Sequence, residues 1–591
     1  MTKDNKDVQT KPTIKWGVLR KLLPYLWAQK ALLIPALILV ALSSFLSLAG
    51  PMLSGEAIKE IAKGKGRINM DTVILFCSLM AIFYIISSIL SYINSIIMIR
   101  LSKKISFNMR KQVFSHLITL PISYFDKNQT GDIVSRLSYD IDTINTSLST
   151  DFLAIITSAI TIIGSFIMML IVSPPLILVF AITLPISIWF IKYRSQKVRP
   201  LFRRRSAKLG ELNGYAEEML SGQKTIKAYN REETIIKRFD SRNDEAVNTF
   251  YEAEYQGSVI GPGVNFISNL SMALVSMFGT ILLIFEGITI DGISKFIQYS
   301  RRFSGPVGEF ANIIADLQSA TSAAERIFRV LDEAPEKPDA ANAFAVSDVR
   351  GGVTFKDIEF GYEEGKTVIS NFSLDVEPSS TVAIVGPTGA GKTTIANLLM
   401  RFYDPQSGDI LLDGKSIYEI TRDSLRRSFT MVLQDTWLFE GTIRDNIAFG
   451  NENVTDEDII NAAKTAGIHD YVMSLKDGYN TVLSDDGVNI SKGQKQLLNI
   501  SRALLSDAPI LILDEATSNV DSRTEQMIQK AMLSLMVGRT SFVIAHRLST
   551  IKNADVILVI RNGQIAESGK HDELLSKNGV YASLYNSQFQ N

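Results

Sequence analysis

The chain has 591 residues, and its 61 Lys and Arg balance 61 Asp and Glu, so the formal net charge is zero. That length is enough for several domains, and a balanced charge is not typical of nucleic-acid-binding proteins, which are usually basic. The single cysteine, Cys77, excludes an internal disulfide framework. Because Cys77 lies in an apolar run, we expect it to be a small buried residue. The four histidines are too scattered for a histidine-rich metal site.

The N-terminal segment lacks the continuous apolar core and small-residue cleavage site of a signal peptide. Apolar side chains recur at helical spacing from Trp16 to Trp27, with Lys15 directly before them and Arg20 and Lys21 between them. This pattern predicts a helix lying at the cytoplasmic surface of a membrane. An amphipathic helix of a soluble protein is the alternative, and the apolar run that follows directly favours the membrane.

Long apolar segments dominate the first half of the chain. The run that starts at Ala31 carries no charge and is long enough to cross a bilayer. Four similar runs and a sixth, more polar one follow, starting near Thr72, Phe152, Leu176, Val259 and Ile293. The sequence therefore predicts a bundle of six transmembrane helices.

The charges of the connecting segments predict the orientation of this bundle. Segments 100–140 and 192–242 are rich in Lys and Arg and should be cytoplasmic, whereas the turns near Pro174 and Asp291 carry almost no positive charge. Segment 55–71 is predicted to be an outer loop although it contains Lys and Arg, because the larger cytoplasmic loops outweigh it. Both chain ends then lie inside the cell.

The two long cytoplasmic segments read as helices that continue beyond the membrane. The first is interrupted at Pro121 and at a turn over Gln129–Gly131, and the second is interrupted at Gly222. We expect such helical projections to contact a soluble motor; a solvated connector is the alternative.

The second half has a different composition. Segment 336–350 is rich in Pro, Ala and acidic residues and reads as a linker. From Gly351 onward, short β-rich runs alternate with amphipathic helical runs, which predicts an α/β domain with a largely parallel sheet. The predicted division is a transmembrane domain at 1–335, a linker at 336–350 and a soluble domain at 351–591.

A phosphate-binding loop follows the strand "TVAIV" and precedes an apolar helix, which is the context that this motif requires. Its backbone N–H groups can surround phosphate oxygens. Lys392 would reach the β- and γ-phosphates, and the Thr393 hydroxyl would bind Mg²⁺. The predicted ATP-binding residues of the loop are Gly386, Pro387, Thr388, Gly389, Ala390, Gly391, Lys392, Thr393 and Thr394.

A second part of the nucleotide site follows the apolar strand at 510–513. Asp514 and Glu515 come directly after it, and ligands of such folds bind at the carboxyl ends of strands. Asp514 is suited to hold Mg²⁺, and Glu515 to act as the general base on an attacking water.

Together these motifs resemble an ATP-binding-cassette exporter half-transporter, in which one six-helix membrane domain is fused to one nucleotide-binding domain of the P-loop NTPase type. The resemblance covers nearly the whole chain and implies ATP and Mg²⁺ as cofactors. It implies that Tyr362 stacks on adenine, that Gln434 contacts Mg²⁺ and that His546 assists Glu515 in catalysis. Two stretches, "GDIVSRLSYDID" and "EEMLSGQKTIKAY", resemble the family's coupling-helix regions.

The family signature corresponds to Ser491, Lys492, Gly493 and Gln494. In this family two nucleotide-binding domains meet head to tail, and the signature of each contacts the ATP of its partner. Lys492 replaces the family's first Gly, and Asp486 stands where the pattern has an arginine. Because a bulky residue can displace the Ser, we expect one subunit of a heterodimer; a homodimer with a tolerant signature is the alternative.

The resemblance implies ATP-driven export by alternating access from a multi-pass protein of the cytoplasmic membrane, with the nucleotide-binding domain inside the cell. The apolar character of the spans favours amphipathic or lipophilic cargo such as drugs or lipids, and no nucleic-acid partner is expected. Arg301 and Arg302 lie within the sixth predicted span and are candidates for the substrate cavity. The alternative is that they face water or form ion pairs.

Two rival functions use the same parts. An ATP-gated channel or regulator would not pump, but the chain keeps its hydrolytic residues and shows no regulatory insert. A nutrient importer usually separates its membrane and ATPase subunits into different chains, whereas here they are fused.

Overall fold

The computed structural model describes residues 16–363, 365–434, 436–451, 453–483, 490–514, 521–545 and 548–589. The chain forms two compact units. The first comprises residues 1–118 and 130–333, and the second comprises residues 119–129 and 334–591. The segment 119–129, which the sequence assigned to the membrane domain, thus packs as part of the second unit.

Twelve helices precede residue 332 in the described part of the chain. In chain order they are α1 (Trp16–Trp27), α2 (Lys30–Ile61), α3 (Met70–Ile118), α4 (Ile122–Lys127), α5 (Thr130–Ser135), α6 (Ile141–Thr146), α7 (Phe152–Val172), α8 (Ile177–Ser221), α9 (Gln223–Ala228), α10 (Glu232–Ser258), α11 (Ile260–Ile284) and α12 (Ile290–Leu331). Two π-helical turns, Arg136–Asp140 and Ser147–Asp151, flank α6, and a 3₁₀ turn, Pro174–Leu176, precedes α8.

The predicted spans are helical. Within the described residues, five helical segments are long and apolar enough to cross a membrane, and they contain α2, α3, α7, α8 and α10–α11. The sixth predicted span lies in α12, whose mixed polarity keeps it outside that set. The most apolar stretch of α3 buries none of its residues inside the protein, as expected for a surface that faces lipid. Cys77 lies on this helix and is exposed, so the expectation that it would be buried is wrong.

The predicted outer loop at 55–71 is partly helical, because α2 continues to Ile61. The apolar run ends before Gly55, but the following residues, with Ala57 buried, keep one face against the bundle. Glu56, Lys59 and Glu60 therefore belong to α2. The predicted interruption at Gly222 separates α8 from α9.

The second unit contains two main sheets. Its strands are β1 (Val353–Phe360), β2 (Ile369–Val376), β3 (Thr381–Val385), β4 (Ser407–Leu412), β5 (Lys415–Ser416), β6 (Phe429–Val432), β7 (Gly441–Thr442), β8 (Val482–Leu483), β9 (Ile510–Asp514), β10 (Thr540–Ile544), β11 (Val556–Arg561) and β12 (Gln564–Gly569). An antiparallel sheet has the order β2-β1-β4-β5, and a six-stranded sheet has the order β12-β11-β3-β10-β9-β6. All neighbours in the larger sheet are parallel except β11 and β12.

Ten helices complete the described part of this unit. They are α13 (Lys392–Leu399), α14 (Arg422–Arg427), α15 (Ile443–Ala448), α16 (Asp456–Ala466), α17 (His469–Ser474), α18 (Lys492–Leu505), α19 (Ser522–Met536), α20 (Leu548–Lys552), α21 (His571–Ser576) and α22 (Val580–Phe589), and a 3₁₀ turn covers Gly478–Asn480.

The larger sheet is covered on both faces, as its apolar strands predict. Successive side chains of β3 point to opposite faces, so Ala383 and Val385 join one apolar cluster and Val382 and Ile384 join the other. Because both faces are buried, the sheet is held in one position between two apolar clusters. The carboxyl ends of its parallel strands therefore form one well-defined edge.

The predicted linker at 336–350 is held against the second unit. Arg426 donates two hydrogen bonds to Glu336, of 2.5 and 3.2 Å, and Arg422 pairs with Asp339 at 3.1 Å. Arg422 also donates a 2.6 Å bond to the carbonyl of Lys337. The acidic residues of the predicted linker are thus partners of cations in the α/β unit.

Candidate functional site

The phosphate-binding loop connects β3 to α13. Gly391 caps α13 with a φ of +101°, and a Cβ there would lie 2.6 Å from Ile369 Cδ1. Gly386 packs directly against the carbonyl of Ile560, where a side chain would not fit. The loop thus requires glycine at both positions for steric reasons. Pro387, Thr388 and Gly389 are exposed, so the loop's backbone is accessible to a ligand.

Lys392 lies in the first turn of α13, with its side chain directed back along the loop. Its Nζ donates hydrogen bonds to the carbonyls of Gly386, at 2.7 Å, and Pro387, at 3.1 Å. Burial lowers the pKa of the Lys392 ammonium, and the nearby Asp514 acts in the opposite direction. The Lys392 ammonium and the Asp514 carboxylate are therefore close enough to interact electrostatically.

The parallel strands bring further predicted residues to the same edge. Asp514 is the last residue of β9, Gln434 follows β6 and is exposed, and Thr393 is exposed at the start of α13. These side chains supply the oxygen ligands that Mg²⁺ prefers, so the donor set fits the predicted metal. Glu515 and His546, which follow β9 and β10 in the chain, lie outside the described residues.

Tyr362 belongs to an aromatic cluster after β1. Its hydroxyl donates to Thr394 Oγ1 and accepts from Asn397 Nδ2, both at 3.2 Å, which anchors the ring above α13. The rings of Phe360 and Tyr403 meet it edge-on, with centroids 4.9 and 5.0 Å away. The ring that was predicted to stack on adenine is thus fixed beside the phosphate loop, and at 40% exposure it remains accessible.

Tyr403 was not predicted as a site residue. Its hydroxyl donates a hydrogen bond to Asp126, which lies on α4 within the second unit. Burial raises the pKa of the Tyr403 hydroxyl, and the Asp126 carboxylate raises it further. The backbone N–H of Glu336 also donates to the carbonyl of Thr119, at 2.8 Å. Segment 119–129 is therefore attached to the α/β unit at two points, one of them next to the Tyr362 ring.

The signature residues form the beginning of α18. Ser491 is the N-cap, and its hydroxyl accepts from the Gln494 N–H at 3.3 Å while the Gln494 side chain accepts from the Ser491 N–H at 2.9 Å. Gly493 is buried, whereas Lys492 is exposed. The capping box is thus complete despite the lysine. Segment 484–489, which includes Asp486, lies outside the described residues.

The two arginines of the sixth predicted span differ in their surroundings. Arg302 donates to Ser47 Oγ on α2 at 2.5 Å and to the Tyr84 hydroxyl on α3 at 3.3 Å. Arg301 is exposed. Arg302 therefore connects three helices through hydroxyl groups, and Arg301 is the one available to a ligand.

Comparisons with known proteins agree with these features. Residues 33–307 match the model of the ABC transporter transmembrane region, and residues 369–518 match that of the ABC transporter. An uncharacterized ABC transporter ATP-binding protein of Bacillus subtilis, YfiC, is 42% identical over 97% of this chain and 94% of its own length. A fatty acid ABC transporter ATP-binding/permease protein of Mycobacterium bovis is 43% identical over 82% of this chain and 76% of its own.

A solved structure shows the same architecture. The ATP-bound form of a bacterial Atm1-family ABC exporter matches with a TM-score of 0.79 and 29% identity, covering 95% of this chain and 98% of its own. The chain thus combines a multi-pass membrane domain with a cytoplasmic ATP-binding domain. It belongs to the ABC transporter family and is an ATPase coupled to transmembrane transport, of the exporter type.

Proposed function

We propose that the chain exports amphipathic or lipophilic molecules across the cytoplasmic membrane by alternating access, as one half of a dimer. The observation that carries this proposal is the convergence of Lys392, Gln434 and Asp514 at one sheet edge in a chain that also holds the spanning helices. The name of the mycobacterial relative, a fatty acid transporter, supports a lipid-like cargo. In this proposal both chain termini lie in the cytoplasm.

Each nucleotide-site residue has a specific role in this proposal. The loop N–H groups and Lys392 bind the phosphates, and Tyr362 stacks on the adenine. Thr393, Gln434 and Asp514 hold Mg²⁺, which neutralises phosphate charge when bound. Glu515 takes the proton of the attacking water, and His546 supports it.

The test is ATP-driven uptake of a fluorescent lipid into inverted membrane vesicles. We expect Glu515→Gln to abolish uptake while ATP still binds, because only the general base is lost. Glu457→Gln is the control, since it removes an exposed carboxylate at the start of α16. Undiminished uptake in Glu515→Gln would refute the pump and favour a channel or regulator.

The signature residues bear on whether the dimer consists of two different chains or of two copies of this chain. The prediction of a heterodimer rests on Lys492 and Asp486, which depart from the family pattern. In such a heterodimer this chain supplies an altered signature to its partner's ATP site. The complete capping box at Ser491 and the exposed position of Lys492 favour the homodimer, because the helix start that faces the partner's ATP is regular. Both assemblies share the export function.

The variant Lys492→Gly distinguishes the two. If the altered signature impairs hydrolysis, restoring glycine raises the ATPase rate of the isolated chain by roughly tenfold or more, as expected when a catalytic group is realigned. If the signature is tolerant, the rate stays within about twofold. The control is Lys495→Ala, which also removes a lysine from α18 and should leave the ATPase rate unchanged. Alanine is used there because glycine inside a helix would weaken it.

A further inference from the structure

A cavity of about 420 Å³ lies in the helical unit between α6, the π-helical turn before α7, and α12. Three carboxylates line it: Asp142, Asp151 and Asp316. Asp142 is paired with Arg110 at 2.6 Å. Within the described side chains, neither Asp151 nor Asp316 forms an ion pair. The cavity therefore carries an excess of negative charge.

Two buried oxygen atoms in its wall have no hydrogen-bond partner among the residues that the structure describes. Ser147 is only 5% exposed, and its hydroxyl makes no hydrogen bond with any residue that the structure describes. Asp151 accepts a 3.1 Å bond from Thr150 Oγ1 on one carboxylate oxygen, but its second oxygen is buried and accepts no hydrogen bond from a described side chain or backbone group. Burial of such groups without a partner is costly, so a ligand that supplies a positive charge or an N–H donor would satisfy both.

The wall is continuous along one helical face. Tyr139, Thr143, Ser147 and Asp151 are spaced by four residues and all line the cavity. Tyr139 is 69% exposed, so its ring is free to face a cation. Asp316 completes the site from α12.

We propose that this cavity binds the organic cation of an amphipathic molecule. A metal ion fits the site poorly, because the described residues contain no group of three His, Cys, Asp or Glu side chains close enough to hold one. The volume lies in the range of small-molecule sites, and the carboxylates, hydroxyls and Tyr139 ring are the groups that recognise an alkylated ammonium or phosphonium. As a statement about cargo, this inference rests on the proposed export function.

The test compares two probes of the same shape and opposite charge, tetraphenylphosphonium and tetraphenylborate. Their binding to the full-length protein in lipid nanodiscs is measured by equilibrium dialysis without nucleotide, with empty nanodiscs subtracted. We expect Asp151→Asn to weaken phosphonium binding roughly tenfold, as for loss of a charge-assisted contact. Asp316→Asn, at an exposed position, should weaken it by about threefold.

The controls separate the site from folding and from transport. Asp244→Asn removes an exposed carboxylate from α10 and should leave phosphonium binding unchanged, and Asp151→Glu should retain most of it. Unaltered thermal unfolding of each variant shows that the fold is intact. Unchanged phosphonium binding in the Asp151→Asn/Asp316→Asn double variant overturns the proposal, as does equal weakening of tetraphenylborate or displacement of the phosphonium by micromolar Mn²⁺. Because binding is measured without ATP, failure here leaves the vesicle uptake test of export independent.

Discussion

Lys295 of α12 donates a 2.6 Å hydrogen bond to Glu56 of α2, joining two helices whose contacting residues are 239 positions apart in the chain. The same ammonium lies 2.9 Å from Asp291 Oδ2, and the Lys295 side chain is only 11% exposed. Gly55 makes the contact possible, because a side chain there would overlap the stem of Lys295. A cation between two carboxylates thus fastens α12 to α2 near the end of that helix.

Replacing this cation should strongly destabilise the helical unit. Lys295→Met leaves two carboxylates close together without the buried ammonium between them, at a cost of about 3 kcal/mol. The measurement is thermal unfolding of the purified protein. Lys59→Met is the control, since Lys59 lies 3.8 Å from Glu56 but is 61% exposed. Adding Glu56→Gln to Lys295→Met should recover part of the loss; full additivity would show that the two residues do not interact.

The phosphate loop should not tolerate a side chain at Gly391. Gly391→Ala combines a positive φ with a contact to Ile369, so we expect the start of α13 to shift and ATP affinity to fall at least tenfold. Gly414→Ala is a matched control, because its φ of +81° imposes similar strain but nothing lies within 4 Å of the added Cβ. Binding is measured with a fluorescent ATP analogue. Equal losses in both variants would show that strain alone, and not the contact, is responsible.

The Tyr403 hydroxyl should stabilise the α/β unit through Asp126. Tyr403→Phe removes one hydrogen bond but keeps the ring against Tyr362, so unfolding should become easier by about 1 kcal/mol while ATP affinity stays within about twofold. Tyr418→Phe provides the contrast, because the Tyr418 hydroxyl is buried with no hydrogen-bond partner in the described part of the chain, so its removal should cost nothing. If both variants unfold alike, the Asp126 contact contributes no stability.

Arg426 should not be replaceable by lysine. Arg426→Lys loses the two-point contact with Glu336 and should destabilise the protein by about 1–2 kcal/mol. Arg427→Lys, next in the chain, changes a side chain that is 79% exposed and pairs with the exposed Asp423, so its effect should be within about 0.5 kcal/mol. Chemical denaturation distinguishes them, and equal midpoints would contradict the role of the 336–350 segment.

Acidification should weaken the C-terminal part of the α/β unit. His571 lies 2.6 Å from the Tyr581 hydroxyl, and burial lowers the pKa of its imidazole below the ordinary value of 6.5. Because the unfolded chain binds the proton more readily, stability is complete above about pH 6.5 and falls as the pH drops toward the folded-state pKa. Unfolding temperatures of the wild type and His571→Asn, measured from about pH 7.5 to about pH 5, should converge at low pH. Parallel curves would exclude this histidine.

The nucleotide edge could be predicted because each of its parts is a local pattern. Gly386 to Thr393 follow an apolar strand directly, and Asp514 ends another, so strand order alone brings them together. The contact between Tyr403 and Asp126 spans 277 residues, and no local pattern indicates it. The ion pair between Glu56 and Lys295 could likewise not be predicted, because tertiary packing brings together residues 239 positions apart. Cys77 was misjudged because, in a membrane helix, apolar surroundings in sequence do not imply burial in protein.

The second unit receives the chain twice, first at 119–129 and again at 334. A polypeptide that begins at residue 334 would therefore lack α4, leaving Tyr403 without its acceptor and the Glu336 N–H without the Thr119 carbonyl. If the ATPase half were excised by proteolysis or expressed separately, the Tyr403 hydroxyl beside the Tyr362 ring would lose its hydrogen bond to Asp126. The catalytic and solubility properties of the separated half would then differ from those of the same half in the intact transporter.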